Sequence, residues 1–428
     1  MNNRQKKVMI DYFTNEEKTR SEFLLGIEVE HFVVQQKDLT AVPYFGEQGI
    51  ESILQSLADC GWQEVYEGKH LLGLDRENMD ITLEPGGQLE ISIAPRKRIS
   101  EIDDLYQSFL AELIPILESQ GAYLMNLGYQ PQSRIQDIPL LPKKRYDYMY
   151  DYFKKKGKYA HNMMKGTAAV HTSYDFSSEK DFIKKCRVAS FLVPIIYIMF
   201  DNTPFFEGEV YSQPGLRSLI WDNCDRERCG PLPGVFSEQF GYGKYAEFLL
   251  NTPPIIWKHN GELTYTEKKP LHKLLNLEKL SKKQLEYLLT MVFPDIRIKN
   301  CLEIRAADSI PYPYNISYLS FWEGLLYNDE NLDQLHKLVE KFSPEEINQL
   351  RSNILNQGLE AKIAGKKVNS FFAELLSLSR TGLPDEEKKY NDLLQDLFAT
   401  GNSPRLQILN ELARGKKEAL DWCIINNY

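Results

Sequence analysis

Five glutamates in three short stretches carry the sharpest chemical signal in this sequence of 428 residues. Glu28 and Glu30 alternate with Ile27 and Val29. Glu84 ends the run Ile81-Thr82-Leu83-Glu84, and Glu90 lies between Leu89 and Ile91 after the turn Pro85-Gly86-Gly87. Glu303 and Arg305 alternate in the same way with Leu302 and Ile304. Successive side chains of a strand point to opposite faces, so each stretch reads as a strand with one apolar and one acidic side. Glutamate is depleted in strands, and like charges on adjacent strands repel. A divalent cation removes that repulsion, and an all-oxygen ligand set suits magnesium or manganese held against phosphates. A charged face turned to water produces the same alternation in any single strand, and alternation alone names no reaction.

Other side chains suit phosphate handling. Thr167, Ala169, His171 and Ser173 share one side of the predicted strand Thr167–Tyr174, which turns His171 either toward the same cavity or into the core. Arg217, in Gly215-Leu216-Arg217-Ser218, and Arg305 each fit a bidentate pair with a carboxylate or phosphate, or an ordinary salt bridge. Neither GxxxxGK[ST] nor GxGxxG occurs, so ATP, if bound, has to be held by metal and arginine.

The elements that position these residues mix short strands with helices predicted over Ile102–Ser119 and Glu179–Phe200. From about Ser317 the pattern is helical, with segments Ser343–Gln357, Lys362–Ser379, Asp385–Ala399 and Ser403–Asn426. A catalytic domain over 1–330 and a C-terminal helical subdomain over 331–428, packed on it, are expected. With 51 Lys and Arg against 60 Asp and Glu, the net charge of -9 argues against a nucleic-acid-binding surface. Ala189–Phe200, the longest apolar run, contains Pro194 and is shorter than the roughly 20 residues that span a bilayer. The stretch Met1–Phe13 lacks the apolar core of a signal peptide, which points to a cytoplasmic location. The six cysteines are scattered and read as reduced thiols; Cys224 and Cys229 have no nearby histidine to complete a metal site.

At the level of motifs the sequence resembles the plant and proteobacterial type of glutamate-cysteine ligase, among the glutamine synthetase-like carboxylate-amine ligases. The resemblance runs through Gly26-Ile27-Glu28-Val29-Glu30, the block Ile81 to Ser92 with its Glu84-Pro85-Gly86-Gly87-Gln88-Leu89-Glu90 core, and Asp137-Ile138-Pro139 with Leu141-Pro142-Lys143 and Arg145-Tyr146. It continues through Met163-Met164, Asp175 to Glu179, Leu216 to Trp221 and Cys301 to Asp308, and holds from about residue 20 to about 330. It implies an α+β fold, a curved antiparallel sheet forming a funnel with helices outside and ATP, magnesium and glutamate within.

By position in those motifs, the resemblance makes Glu28, Glu30, Glu84, Glu90 and Glu303 the metal-binding set for two or three magnesium ions, with manganese as a substitute. It makes Arg217 the residue that holds glutamate, Arg305 and His171 contacts to ATP phosphates, and Gln88 and Arg145 part of the substrate pocket. The implied reaction is ATP-dependent ligation of the glutamate γ-carboxylate to the amine of cysteine through γ-glutamyl phosphate, in a monomer or homodimer. A ligase with a different amine acceptor, a phosphagen-type kinase and a catalytically silent binding protein are the alternatives. The two cysteines near Arg217 depart from the family pattern, and no disulfide switch of the plant kind is expected.

Overall fold

The computed structural model describes residues 3–259, 262–266 and 269–425. Ten strands make one antiparallel sheet: β1 (Leu25–Gln35), β2 (Gln63–Glu67), β3 (His70–Arg76), β4 (Met79–Leu83), β5 (Leu89–Arg96), β6 (Ala122–Met125), β7 (Ala169–Tyr174), β8 (Ile296–Ile298), β9 (Leu302–Asp308) and β10 (Ile424–Ile425). Their order is β8-β9-β7-β1-β5-β4-β3-β2, with β6 on the far half of β1 and β10 on β6. The strands predicted to carry acidic residues therefore lie close together, β1, β5 and β4 side by side and β9 one strand away across β7, although β9 is far from β1 in sequence.

The apolar side of these strands is the core. Ile27, Val29, Leu89, Ile91, Val170, Leu302 and Ile304 are all buried, and helices Ile99–Ser119, Glu179–Met199 and Tyr314–Leu326 lie over the sheet. His31 Nε2 lies 2.8 Å from the Tyr106 hydroxyl, Asn315 Nδ2 donates to that hydroxyl at 2.8 Å, and the Tyr174 hydroxyl donates to the carbonyl of Leu319 at 3.1 Å. Helix Tyr314–Leu326 is buried almost all round because Val368–Thr381 and Lys388–Leu397 cover its outer side. Gly324 permits that approach, since a Cβ there would lie 2.0 Å from the carbonyl oxygen of Ser379.

The C-terminal region is helical as expected, with two differences. Lys362–Lys367 forms a two-stranded hairpin ahead of the helix Val368–Thr381, and the run predicted as one helix over Ser403–Asn426 breaks after Pro404–Glu411. Gly415, at φ +119°, interrupts the latter, and β10 pairs with the edge of β6, whose unpaired backbone groups override local helical preference. Asn426 lies outside the described residues, as do Met1 and Asn2. The 330/331 boundary falls just inside the helix Asp329–Val339. Among the described residues no helix is long and apolar enough to cross a membrane.

One buried group makes stability pH-dependent. Glu323, on Tyr314–Leu326, has a carboxylate oxygen with no hydrogen-bond partner among the described residues; burial, then Glu387 and Glu386, push its pKa up to about 8. It gains a proton on folding, so its contribution is full below the unfolded value of about 4.3 and is lost as pH rises through about 8. Glu323→Gln is therefore expected to melt higher than wild type, the gap widening as pH rises and levelling off above about 8; thermal unfolding at several pH values checks this.

Candidate active site

Register merges the separate acidic faces into one. Glu30 of β1 stands directly opposite Glu90 of β5, which in turn faces Thr82 of β4, whose hydroxyl donates to Glu90 at 2.8 Å. On the other flank of β1, Glu28 faces His171 of β7, and Glu303 of β9 faces Ser173. Oxygens of Glu28 and Glu90 and a ring nitrogen of His171 all lie within 4.8 Å of one another. Glu84 follows β4 in a tight turn, in which its N–H donates to the carbonyl of Gln88 at 2.9 Å and Gly87 N–H donates back to the carbonyl of Glu84 at 2.8 Å. Gly86 is required there, because a Cβ would lie 2.4 Å from the backbone oxygen of Lys165.

The electrostatics of this face are those of an anion cluster short of positive charge. Burial raises the Glu90 carboxyl well above its ordinary range, and Glu28, Glu84 and Glu30 raise it further. Burial and Glu84 lift Glu30 to about 8 against the opposing pull of Arg217 and Arg305. Burial lifts Glu84 too, despite Lys143, Arg145 and Arg305 nearby. Glu28 behaves oppositely. Burial and Glu303 push it up, yet Lys299 and His171 outweigh them and hold it at about 2. Burial, then Arg305, lowers His171 to about 4, so its imidazole is neutral at neutral pH. Its Nδ1 lies 3.3 Å from Glu28, while the buried Nε2 has no hydrogen-bond partner among the described residues.

The basic residues are less uniformly available. Arg217, 2% exposed, donates to the carbonyls of Arg305 at 2.9 Å and Ala306 at 3.1 Å, bracing β9 where its register shifts; its buried Nε has no hydrogen-bond partner among the described residues. Arg145, in the first turn of helix Lys144–Phe153, lies over the Tyr287 ring and reaches the carbonyl of Thr290 at 3.5 Å. Arg305 lies 5.8 Å from the Trp221 ring centroid and donates to Glu303 at 3.1 Å.

Three residues with expected site roles also have close partners within the protein. Glu303, expected as a metal ligand, is fully buried and held by Arg297 at 2.6 Å, Lys299 at 2.6 Å and Arg305 at 3.1 Å; these outweigh burial and keep its pKa well below the ordinary range. Gln88, expected in the substrate pocket, accepts from Gly86 N–H at 2.9 Å and donates to the carbonyl of Thr167 at 2.9 Å, so its amide also braces the turn. His171, expected at the phosphates, joins the carboxylate cluster itself. Arg297 and Lys299 are the residues the sequence reading missed. Arg297 had a readable signal, a charged residue alternating with Ile296 and Ile298, whereas Lys299 sits where the alternation ends.

The residues present fit a divalent cation: two carboxylates and a neutral imidazole converge, one buried nitrogen is unpaired, and the neighbouring carboxylates repel one another without added positive charge.

Comparison with known proteins decides the family. The model described as glutamate-cysteine ligase family 2 matches residues 24–420. The chain belongs to that family. It is 32% identical to the chloroplastic glutamate–cysteine ligase of Arabidopsis thaliana over 94% of this chain and 78% of that protein. It is 31% identical to the chloroplastic enzyme of Medicago truncatula over 96% of this chain and 83% of that one. The 2.0 Å crystal structure of a glutamate–cysteine ligase from Francisella tularensis in complex with AMP shares the fold, with TM-score 0.56 and 15% identity over 94% of this chain and 87% of that chain. As a member of the glutamate-cysteine ligase family, the chain is an ATP-dependent carbon–nitrogen ligase with the α+β, glutamine synthetase-like fold expected from its motifs. The expected cytoplasmic location is corrected. These relatives are chloroplastic enzymes, and the polarity of a short N-terminal stretch does not decide compartment.

Proposed function

We propose that the joined acidic face is where this ligase couples the glutamate γ-carboxylate to the amine of cysteine. The observation that carries the reading is the convergence of Glu28, Glu90 and neutral His171, with Glu30 and Glu84 beside them, on a face bordered by Arg217, Arg305 and Arg145. A divalent cation, magnesium or manganese, held by Glu28, Glu90 and His171 would supply the positive charge that lets an anionic carboxylate approach the ATP phosphates. Arg305 and Arg217 add fixed donors on the same face, Arg305 anchored by Glu303 and Arg217 by backbone carbonyls, so their positions cost little reorganisation during reaction. The glutamate carboxylate attacks the terminal phosphorus, ADP leaves, and the γ-glutamyl phosphate is then attacked at its carbonyl by the amine, releasing phosphate. No protein nucleophile is needed.

The test is ADP release by purified protein with ATP, magnesium and glutamate, as single amines are added. Stimulation by cysteine above other amines supports the assignment; stimulation by a different amine alone overturns it. His171→Ala is expected to weaken Mn2+ binding by about 10-fold, the loss of one of three converging ligands, with the melting temperature in chelator close to wild type. Calorimetric titration with Mn2+ reads this directly.

A further inference from the structure

A cavity of about 240 Å³ opens beside the acidic cluster, with Glu28, Asp80, Ser92, Ser173, Lys18 and Lys299 among its walls. Lys18 is committed to Asp175 at 2.7 Å. Lys299 is differently placed. It stands in the turn between β8 and β9, where its N–H donates to the carbonyl of Cys301 at 2.9 Å, and its ammonium lies 2.6 Å from Glu303 and 3.7 Å from Glu28. Glu303 already has Arg297 and Arg305, so the lysine exceeds what is needed to neutralise that buried carboxylate. Its side chain is 24% exposed, against 10% for each arginine. Arg297 grips Glu303 with two nitrogens of one planar fork, whereas a lysine ammonium on a flexible stem changes partner by rotation.

We propose that Lys299 is a nucleotide-binding residue of this ligase, turning its ammonium from Glu303 and Glu28 to a phosphate oxygen of the nucleotide that enters this cavity; this rests on the active-site reading above. A cation bound at Glu28 repels an ammonium 3.7 Å away from the same carboxylate. A triphosphate is the strongest acceptor among the ligands of the reaction, and the Ser92 and Ser173 hydroxyls on the same wall add hydrogen bonds to it. Arg217, Arg145 and Arg305 are not among the residues lining this cavity, which leaves Lys299 as its cationic residue beside the committed Lys18.

The test compares wild type with Lys299→Met, Lys299→Gln and Lys299→Arg in the full chain, titrated calorimetrically with ADP and magnesium, and separately with Mn2+ alone. Lys299→Met is expected to weaken ADP binding by about 10-fold or more, the scale of one hydrogen bond between charged groups. KM for ATP should rise with it, KM for glutamate should stay within about twofold, and Lys299→Arg should recover most of the loss. Mn2+ alone should bind the Met variant as tightly as wild type or more so, since a repelling cation is gone; a purely structural role would weaken both titrations together. Lys299→Gln, which keeps a donor for Glu303 without the charge, gives the same readout should the Met variant not fold. Wild-type ADP affinity in the Met or Gln variant, or a rise confined to KM for glutamate, overturns the proposal. Failure of wild type to bind ADP overturns the active-site reading itself.

Discussion

Glu90→Gln is expected to cut ligation by about 100-fold or more, the scale seen when a group that organises transition-state charge is removed, while making the metal-free protein more stable. The two effects have one cause. Glu90 faces Glu30 across the sheet, lies half-buried among three other glutamates, and has its carboxyl raised well above the ordinary range. A carboxyl raised by folding stabilises fully only below its unfolded pKa, and that contribution is lost as pH rises. Glutamine keeps the shape and the bond from Thr82 without ever acquiring the charge. In chelator at pH 8 the variant should therefore melt above wild type, by about 1 °C for each kcal/mol of relieved repulsion. ADP release with cysteine and a melting curve in chelator are the two measurements. A variant that ligates normally would remove the acidic face from the reaction.

Glu303→Gln should do the reverse to stability. Removing the anion leaves Arg297, Arg305 and Lys299 facing one another in a buried site, and breaking a buried ion pair from one side costs about 3–5 kcal/mol. The pKa of Glu303 is lowered in the fold, so its contribution is present at neutral pH and is lost as pH falls through the acid range. The loss should be as large in chelator as with added Mn2+. A loss that appears only with the cation present would return Glu303 to the ligand set first expected for it. Denaturant unfolding in both conditions separates the two, and activity should fall together with the anchoring of Arg305.

Which residues share a strand face is a local property, and it was legible. The alternation in 27–30, 81–84, 89–92 and 302–305 assigned each glutamate to the polar side, and β1, β4, β5 and β9 bury the apolar partners as expected. The motif Glu84-Pro85-Gly86-Gly87-Gln88 was equally local, because a glycine pressed against a backbone oxygen and another with φ +83° leave a tight turn little alternative. The helices expected from apolar spacing are present to within a few residues, except at the Lys362–Lys367 hairpin and where Gly415 and the open edge of β6 turn Ile424–Ile425 into a strand.

Charge partners were not legible, since they depend on register between segments far apart in the chain. His171 belongs to the carboxylate cluster only because β7 pairs with β1 so that it faces Glu28. Glu303 alternates like the other glutamates, yet it is answered by Arg297 across the β8–β9 pair and by Lys299 in the turn between them. Gln88 shares the period of Glu90 but lies before β5 begins, where the nearest groups are backbone amides and carbonyls. Local alternation is enough to mark an acidic face, and the motifs are enough to carry a family resemblance that implies a reaction. Only the tertiary structure decided which carboxylates stand unneutralised and which are ion-paired, because a carboxylate's role is set by the charges within a few ångströms of it and those charges come from other strands.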